Sequence, residues 1–409
     1  MADADEVRNR GAWERWNTLR RRLTQPNTGL ARLDATLRSA VPVLRVRART
    51  ALENAWTVIQ HVPVPLSALY FVAPSTRTRA DVASRPGHRP DAHEPAQVRI
   101  IANPTSGSAH GAHGMHDLRE TVVWLRKHGL PAELCMTDAP GSARHLAEEA
   151  VRAGMRMVVA AGGDGTINEV IQALAGHTTA LGVLPMGTVN VWAREANIPL
   201  TLAEARAVLV YGARRRIDLG RAGSRYFILM AGIGIDAEVA RRVEHHFLKR
   251  IGLKVMDYIA TGGIVGVTQR PVKVWMQDGK RRRSRHAVQI LIGNTRLFGG
   301  ALAFTQQAVA DDGWLDVVFV GGHHLRHRAQ VLLRAALRRP SLGPHAHYAH
   351  VRTMRLDAAV PLPVQVDGEV IGTLPMTFAV APRALTVVVP RDAPSDLFLH
   401  PPLDGALGN

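Results

Sequence analysis

Apolar and polar positions follow three textures along the chain. From residue 96 to about 215, short apolar runs alternate with amphipathic stretches. Val98–Ala102, Met155–Ala161 and Leu181–Leu184 predict strands, and Asp117–His128 predicts a helix closed by Gly129. Ile167, Val170, Ile171 and Leu174 recur at i, i+3, i+4 and i+7, the spacing of a helix with one buried face. Strand, loop and helix repeated in this way predict a parallel sheet covered by helices. From about 216 the runs become mostly strand-like: Tyr226–Ala231, Val272–Met276, Val288–Ile292, Leu315–Val320, Val364–Val366, Thr377–Val380 and Leu385–Val389. Helical spacing there is confined to Glu238–Tyr258 and His324–Arg338, so a second, β-rich domain is expected. Residues 1–95 lack regular alternation and end in a proline-rich polar linker over 74–97. Within them Trp13, Trp16, Leu19 and Leu23 share one helical stripe among arginines. That stripe suits a membrane surface or packing on the rest of the protein.

Length and charge narrow this picture. At 409 residues the chain has room for two or three domains. The single cysteine, Cys135, excludes an intrachain disulfide framework and a cysteine-built zinc site. The formal charge of +17 comes from 51 basic against 34 acidic residues, and only five of the basic residues are lysines. The excess is dispersed, +6 over residues 1–97 and +11 over the rest, so it is not one basic tail. It suits anionic partners or reflects an arginine-biased composition. Residues 1–22 lack the apolar centre of a signal peptide, and no stretch reaches the roughly 20 apolar residues of a membrane span. The tract Pro344-His345-Ala346-His347-Tyr348-Ala349-His350 resembles a metal cluster in composition only, and an exposed loop is expected.

Three loops carry the candidate chemistry. Val158 to Glu169 reads strand, glycine turn (Gly162-Gly163-Asp164-Gly165-Thr166), then helix. Glycines let backbone approach a ligand, and a helix start offers N–H groups and a positive dipole end to a phosphate. The same residues would also make a tight capped turn with no ligand. Asn103-Pro104-Thr105-Ser106-Gly107 follows the first strand, and Pro185-Met186-Gly187-Thr188-Val189-Asn190 follows the strand ending at Leu184. All three should gather at the carboxyl edge of one parallel sheet, where open α/β sheets bind ligands. Neither a Walker sequence nor a G-x-G-x-x-G fingerprint is present at this loop.

Asn-Pro-x-Ser-Gly, Gly-Gly-Asp-Gly-Thr-x-Asn-Glu and Pro-x-Gly-Thr-x-Asn, in this order and spacing, resemble the diacylglycerol kinase catalytic-domain superfamily, which includes bacterial lipid kinases, sphingosine kinases and ceramide kinases. The resemblance extends through Ile217-Asp218-Leu219-Gly220, Ala231 to Asp236, Asp311 to Asp316 and Val366-Asp367-Gly368-Glu369, covering roughly 96–390. It implies a two-lobed α/β fold, with an α/β nucleotide-binding lobe over 96–215 and a β-sandwich-like second lobe over 216–390. An N-terminal extension (1–95) and a C-terminal tail (391–409) flank them.

The resemblance further implies ATP against Asn103, Ser106, Gly107, Gly162, Gly163, Asp164, Gly165, Thr166, Asn168, Gly187, Thr188 and Asn190. It implies Asp367 as general base toward a lipid hydroxyl, with Glu369 orienting it, and Mg²⁺ at Asp311, Asp312 and the Trp314 backbone. From spacing alone, Val364–Val370 reads as a β-hairpin with an Asp-Gly turn. Glu369 would share a face with Asp367 if the chain stayed extended there. A cytoplasmic enzyme in peripheral contact with the inner, anionic membrane surface is implied, and no nucleic-acid module is found. Many bacterial members carry a basic residue where this chain has Ser108, Asp where it has Val191, and an acid where it has Gln307. An NAD kinase, which shares Gly-Gly-Asp-Gly, and a non-catalytic nucleotide- or lipid-binding homologue are the rival readings.

Overall fold

The computed structural model describes residues 96–104, 106, 112–234, 270–279, 281–322 and 324–403. The extension 1–95 with its Trp13–Leu23 stripe, the helix expected over Glu238–Tyr258, and Thr105, Gly107 and Ser108 lie outside the described residues.

The first part runs β1 (Val98–Ala102), α1 (Ala112–Lys127), β2 (Ala132–Met136), α2 (Ser142–Arg152), β3 (Met157–Gly162), α3 (Asp164–Leu174), β4 (Ala180–Pro185), α4 (Val191–Glu195) and α5 (Leu202–Tyr211). Strands β1 to β4 are parallel in spatial order β2-β1-β3-β4. Every residue of β3 and β4 is buried, the continuous apolar signature of strands covered on both faces. Helix α3 buries Ile167, Val170, Ile171 and Leu174, the stripe expected from their spacing.

The second part runs β5 (Ala213–Ala222), β6 (Arg225–Phe227), β7 (Met230–Gly234), β8 (Val272–Asp278), β9 (Arg281–Ala287), β10 (Gln289–Gly293), β11 (Leu297–Phe298), β12 (Leu302–Ala303), β13 (Leu315–Val320), α6 (Leu325–Ala336), β14 (Ala346–Val351), β15 (Thr353–Ala358), β16 (Pro363–Val366), β17 (Glu369–Thr373) and β18 (Met376–Val389). Strand β18 joins the parallel sheet beside β4 and pairs antiparallel with β5 and β15. Through it the sheet continues to β15, β8 and β9. A second, antiparallel sheet has the order β14-β13-β10-β7-β16-β17. Its strands alternate between two cores with the period of two that a pleat imposes. Ile290, Ile292, Leu315, Val317 and Phe319 belong to the core shared with Phe227, Val274 and Phe378, whereas Leu291, Val318 and Val320 belong to the core shared with the parallel sheet.

Three sequence expectations are corrected. Tyr226–Ala231 is not one strand: it breaks at Ile228 and Leu229, whose N–H groups are drawn elsewhere, as described below. Thr377–Val380 and Leu385–Val389 are not separate but form one strand, β18, with a register shift between Ala381 and Leu385. The histidine tract is not a loop. Ala346–Val351 is strand β14, paired residue by residue with β13. Its half-exposed positions need no apolar alternation, which hid it from the pattern.

Gly220 stands opposite the fully buried Phe227 in the β5–β6 pair. A Cβ there would come 2.0 Å from the ring. Gly220→Ala is expected to destabilise the fold by about 1–3 kcal/mol through overpacking, read as a lowered urea midpoint with unchanged slope.

Candidate active site

The parallel register places the three loops level. Ala102 of β1 lies beside Ala161 of β3, which lies beside Leu184 of β4. The chain ends of these strands are tied directly: Asn103 N–H donates to Ala161 O (3.2 Å) and Met186 N–H to Gly162 O (3.0 Å). Ser106 closes its turn through an N–H to Asn103 O at 3.1 Å.

The second and third loops touch backbone to backbone. A Cβ on Gly187 would lie 2.4 Å from the Gly163 Cα, and one on Gly163 would lie 3.2 Å from the Gly187 Cα. Gly187 must be glycine for the loops to meet, and a Cβ on Gly163 would require the loops to shift by a few tenths of an ångström. Asn190 closes the third loop from a left-handed backbone (φ 54°), accepting from Gly187 N–H and donating to Gly187 O, both at 2.9 Å. Thr166 is buried over Gly162, while Gly165 and Thr188 are exposed. No atom lies within 4 Å of where a Gly165 Cβ would be.

The acids of the glycine motif are helix caps for their neighbours. Asp164 accepts from Val191 N–H (3.0 Å) and Trp192 N–H (3.2 Å) at the start of α4. Burial raises its pKa, against the pull of those bonds. Glu169 accepts from Gly141 N–H (3.0 Å) and Ala143 N–H (3.1 Å) at the start of α2. Each carboxylate satisfies orphan helix amides and the positive dipole end. Asp164 is therefore committed to α4. The Val191 side chain, where many bacterial relatives carry Asp, is buried in the core.

Asp367 is held by the densest set of bonds in the site. It and Gly368 form the turn between β16 and β17, with φ values of 47° and 92°, the two positive φ angles of the hairpin turn expected from Asp-Gly. Its Oδ1 accepts from Leu229 N–H (3.1 Å) and Met230 N–H (2.9 Å). Its Oδ2 accepts from Ile228 N–H (2.9 Å) and the Asn168 side-chain amide (3.0 Å). Asn168 and Asp367 are 199 residues apart in sequence. Burial pushes the Asp367 pKa up to about 6, although all four hydrogen bonds favour the charged form. Asn168 thus bonds the candidate base, and its oxygen accepts from Arg225 at 3.1 Å.

Glu369 does not join Asp367. The chain turns at Asp367-Gly368, so Glu369 lies opposite Val366 and its carboxylate pairs with Arg225. Sequence reasoning missed Arg225, which bridges Asn168 and Glu369. It also missed Glu195, a buried carboxylate that accepts from Arg296 N–H (2.7 Å) and Leu297 N–H and so fastens α4 to β11. No motif marks either residue, because their partners lie more than fifty positions away.

Asp311 is buried and accepts from Leu399 N–H (2.5 Å) and His400 N–H (3.0 Å). Asp312 accepts from Trp314 N–H at 2.9 Å. Beside them, Asp218 is fully buried and accepts from Gly313 and Arg383 N–H, each at 2.6 Å. Burial raises the pKa of Asp218 and of Asp312, and neighbouring carboxylates raise both further. Gln307, at the position where an acid is common, is exposed, and its N–H donates to the Tyr348 hydroxyl at 3.2 Å.

Residues 97–222 match the diacylglycerol kinase catalytic domain, and residues 230–389 match the YegS C-terminal NAD kinase beta sandwich-like domain. A protein named diacylglycerol kinase from Staphylococcus saprophyticus is 28% identical over 298 residues, covering 72% of this chain and 96% of its own. A solved chain from Bacillus anthracis superposes with a TM-score of 0.60 at 22% identity, covering 71% of this chain and 96% of its own. A diacylglycerol kinase structure from the same organism gives 0.56 at 18% identity, with the same coverage. These two structures share the fold.

Gly187→Ala is expected to force the second and third loops apart and to weaken nucleotide affinity at least about tenfold. Gly165→Ala should keep the wild-type melting temperature, since its Cβ meets no protein atom within 4 Å, so a loss of nucleotide affinity there reports the ligand's own approach to this backbone. Calorimetric titration of both variants, with thermal melts as controls, measures the contrast.

Proposed function

The chain belongs to the diacylglycerol kinase catalytic-domain superfamily, lipid kinases that transfer phosphate to an alcohol, and on that premise we propose that it moves the γ-phosphate of ATP to a hydroxyl of a diacylglycerol- or sphingoid-like lipid. The carrying observation is Asp367, a carboxylate raised to about 6 and joined through Asn168 to the helix that begins at the glycine loop. Asn168 is four residues past Asp164, a rise of roughly 6 Å, so the carboxylate lies about one helical turn from the loop.

The loops around Gly163, Gly165 and Gly187 fit a phosphate chain, with backbone in close approach and the open start of α3 beside it. The acids nearest them are turned away into helix caps, so they add little repulsion toward phosphate. Mg²⁺ would be held by Asp312, with Asp311 and the Trp314 backbone. The donors are hard oxygens, and burial together with the nearby Asp311 carboxylate raises the Asp312 pKa, a stress that a cation relieves. Bound there, the metal would supply charge neutralisation.

In this arrangement the four N–H donors fill the roughly four acceptor sites of the Asp367 carboxylate. Three donors are backbone and fixed. For Oδ2 to take the acceptor's proton, the Asn168 amide, the one side-chain donor, would have to give up its bond to it. A carboxylate raised to about 6 is ionised at neutral pH yet a stronger base than an ordinary one.

The enzyme should transfer label from γ-labelled ATP to at least one of a panel of lipid alcohols. Transfer to NAD and to none of the lipids would replace this reading. Asp367→Asn is expected to lower turnover by about two to four orders of magnitude with nucleotide affinity retained. In the wild type, kcat/KM should fall as pH drops below about 6, and Asn168→Ala should move that limb upward by removing a bond to the charged form. Because the folded pKa of Asp367 is raised, its stabilising contribution is present below the unfolded value of about 4 and lost as pH rises through about 6. Over that window the wild type should lose stability relative to Asp367→Asn, as read by urea unfolding at each pH.

A further inference from the structure

Far from the glycine loops in sequence, β9, the end of β13 with Gly321 and Gly322, and the start of β14 line an open groove of about 320 Å³. It is lined by Ser284, Arg285, His286, Pro344, His345 and His347, among others, and none of its lining residues is acidic. Arg285 Nη2 and His347 Nε2 are 3.0 Å apart. The Arg285 Nε is buried with no hydrogen-bond partner. An unsatisfied buried guanidinium N–H is costly, and an anion is the partner it lacks. His327 of α6 stacks on His345, with ring centroids 3.7 Å apart, and so connects the helix to the groove.

Helix α6 has an unusual surface. Leu325, Leu332, Leu333 and the following Leu337 are each between 43% and 49% exposed, and together they supply four of the ten large exposed apolar side chains among the described residues. Val331 and Ala335 are the residues it buries. The helix contains no Asp or Glu, and Arg326, Arg338 and Arg339 stand exposed around the leucines. Strand β9 adds Arg281, Arg282 and Arg283 on the free edge of its sheet. Exposed leucines ringed by arginine, beside an open groove with an arginine and no acid in its lining, match the interface of an anionic bilayer in both polarity and charge.

We propose that this face docks on a membrane containing anionic phospholipid. The α6 leucines enter the acyl boundary, the surrounding arginines meet the headgroup layer, and the groove holds one lipid phosphate through Arg285. The proposal rests on the lipid-kinase reading only in that such an enzyme must meet its acceptor in a membrane.

The test is sedimentation of the full-length protein with phosphatidylcholine vesicles, with and without phosphatidylglycerol, in the absence of nucleotide and acceptor. Its failure would therefore leave the kinase reading standing. The wild type should bind the anionic vesicles preferentially and release them as salt rises. Leu332→Ser/Leu333→Ser should bind them roughly tenfold more weakly or worse, while transfer to a soluble short-chain acceptor is unchanged. Arg285→Gln should lose much of the preference for phosphatidylglycerol and keep the wild-type melting temperature. Equal binding to both vesicle types, or unchanged binding by both variants, would overturn the proposal. So would inorganic phosphate raising the melting temperature of the wild type but not of Arg285→Gln while vesicle binding stays equal, since the groove would then be a site for free phosphate.

Discussion

The carboxylate of Asp367, gripped by three consecutive backbone N–H groups and one side-chain amide, organises the centre of the molecule. Ionised carboxyl groups are costly to bury, and charge-assisted bonds to N–H groups are what make the burial tolerable. Those bonds carry a structural consequence. The amides of Ile228, Leu229 and Met230 would otherwise extend a strand, and their diversion to Asp367 separates β6 from β7. The other edge of the same segment is fixed too: Asn294 and Thr295 donate to Leu229 O, and the Asn294 amide donates to Ile228 O at 3.1 Å. A turn at the end of β16 is thereby fastened to a helix of the parallel-sheet lobe and to the break between β6 and β7.

The same device recurs around the glycine loops. Asp164, Glu169 and Glu195 each accept two backbone N–H groups of an element remote in sequence. Loop conformation is then set by charge on backbone as well as by apolar packing, which suits segments that are mostly glycine and have few side chains to pack. The contact of Gly163 with Gly187 completes the arrangement, since any Cβ on Gly187 would meet backbone that cannot move without shifting a strand end. The arrangement suits the proposed binding of a polyphosphate. Its acids are neutralised elsewhere, and the surface presented to the ligand is backbone.

Much of the fold was legible because its signals are periodic or local. The stripe from Ile167 to Leu174 specified a helix with a buried face, and the apolar runs at β1, β3 and β4 specified buried parallel strands. Asp-Gly specified the hairpin at residues 367 and 368. Strand β9, Arg281–Ala287, was illegible for a physical reason: an edge strand held by backbone pairing to β8 can be arginine-rich throughout and show no apolar alternation. Strand β14 escaped notice similarly. The break after Phe227 also left no local trace, because what ends the strand is a carboxylate about 140 residues downstream.

By itself, the sequence determined that three polar, glycine-bearing loops would share one sheet edge, since loops that each follow an apolar strand of one parallel sheet end on the same side. Only the tertiary structure decided which groups the candidate residues serve. It turned Asp164 and Glu169 into caps of neighbouring helices, moved Asn168 to Asp367, and gave Glu369 to Arg225 in place of Asp367. These are choices among hydrogen-bond partners dozens to hundreds of residues apart. A carboxylate takes whichever N–H groups the fold brings within 3 Å, and no pattern along the chain encodes that proximity.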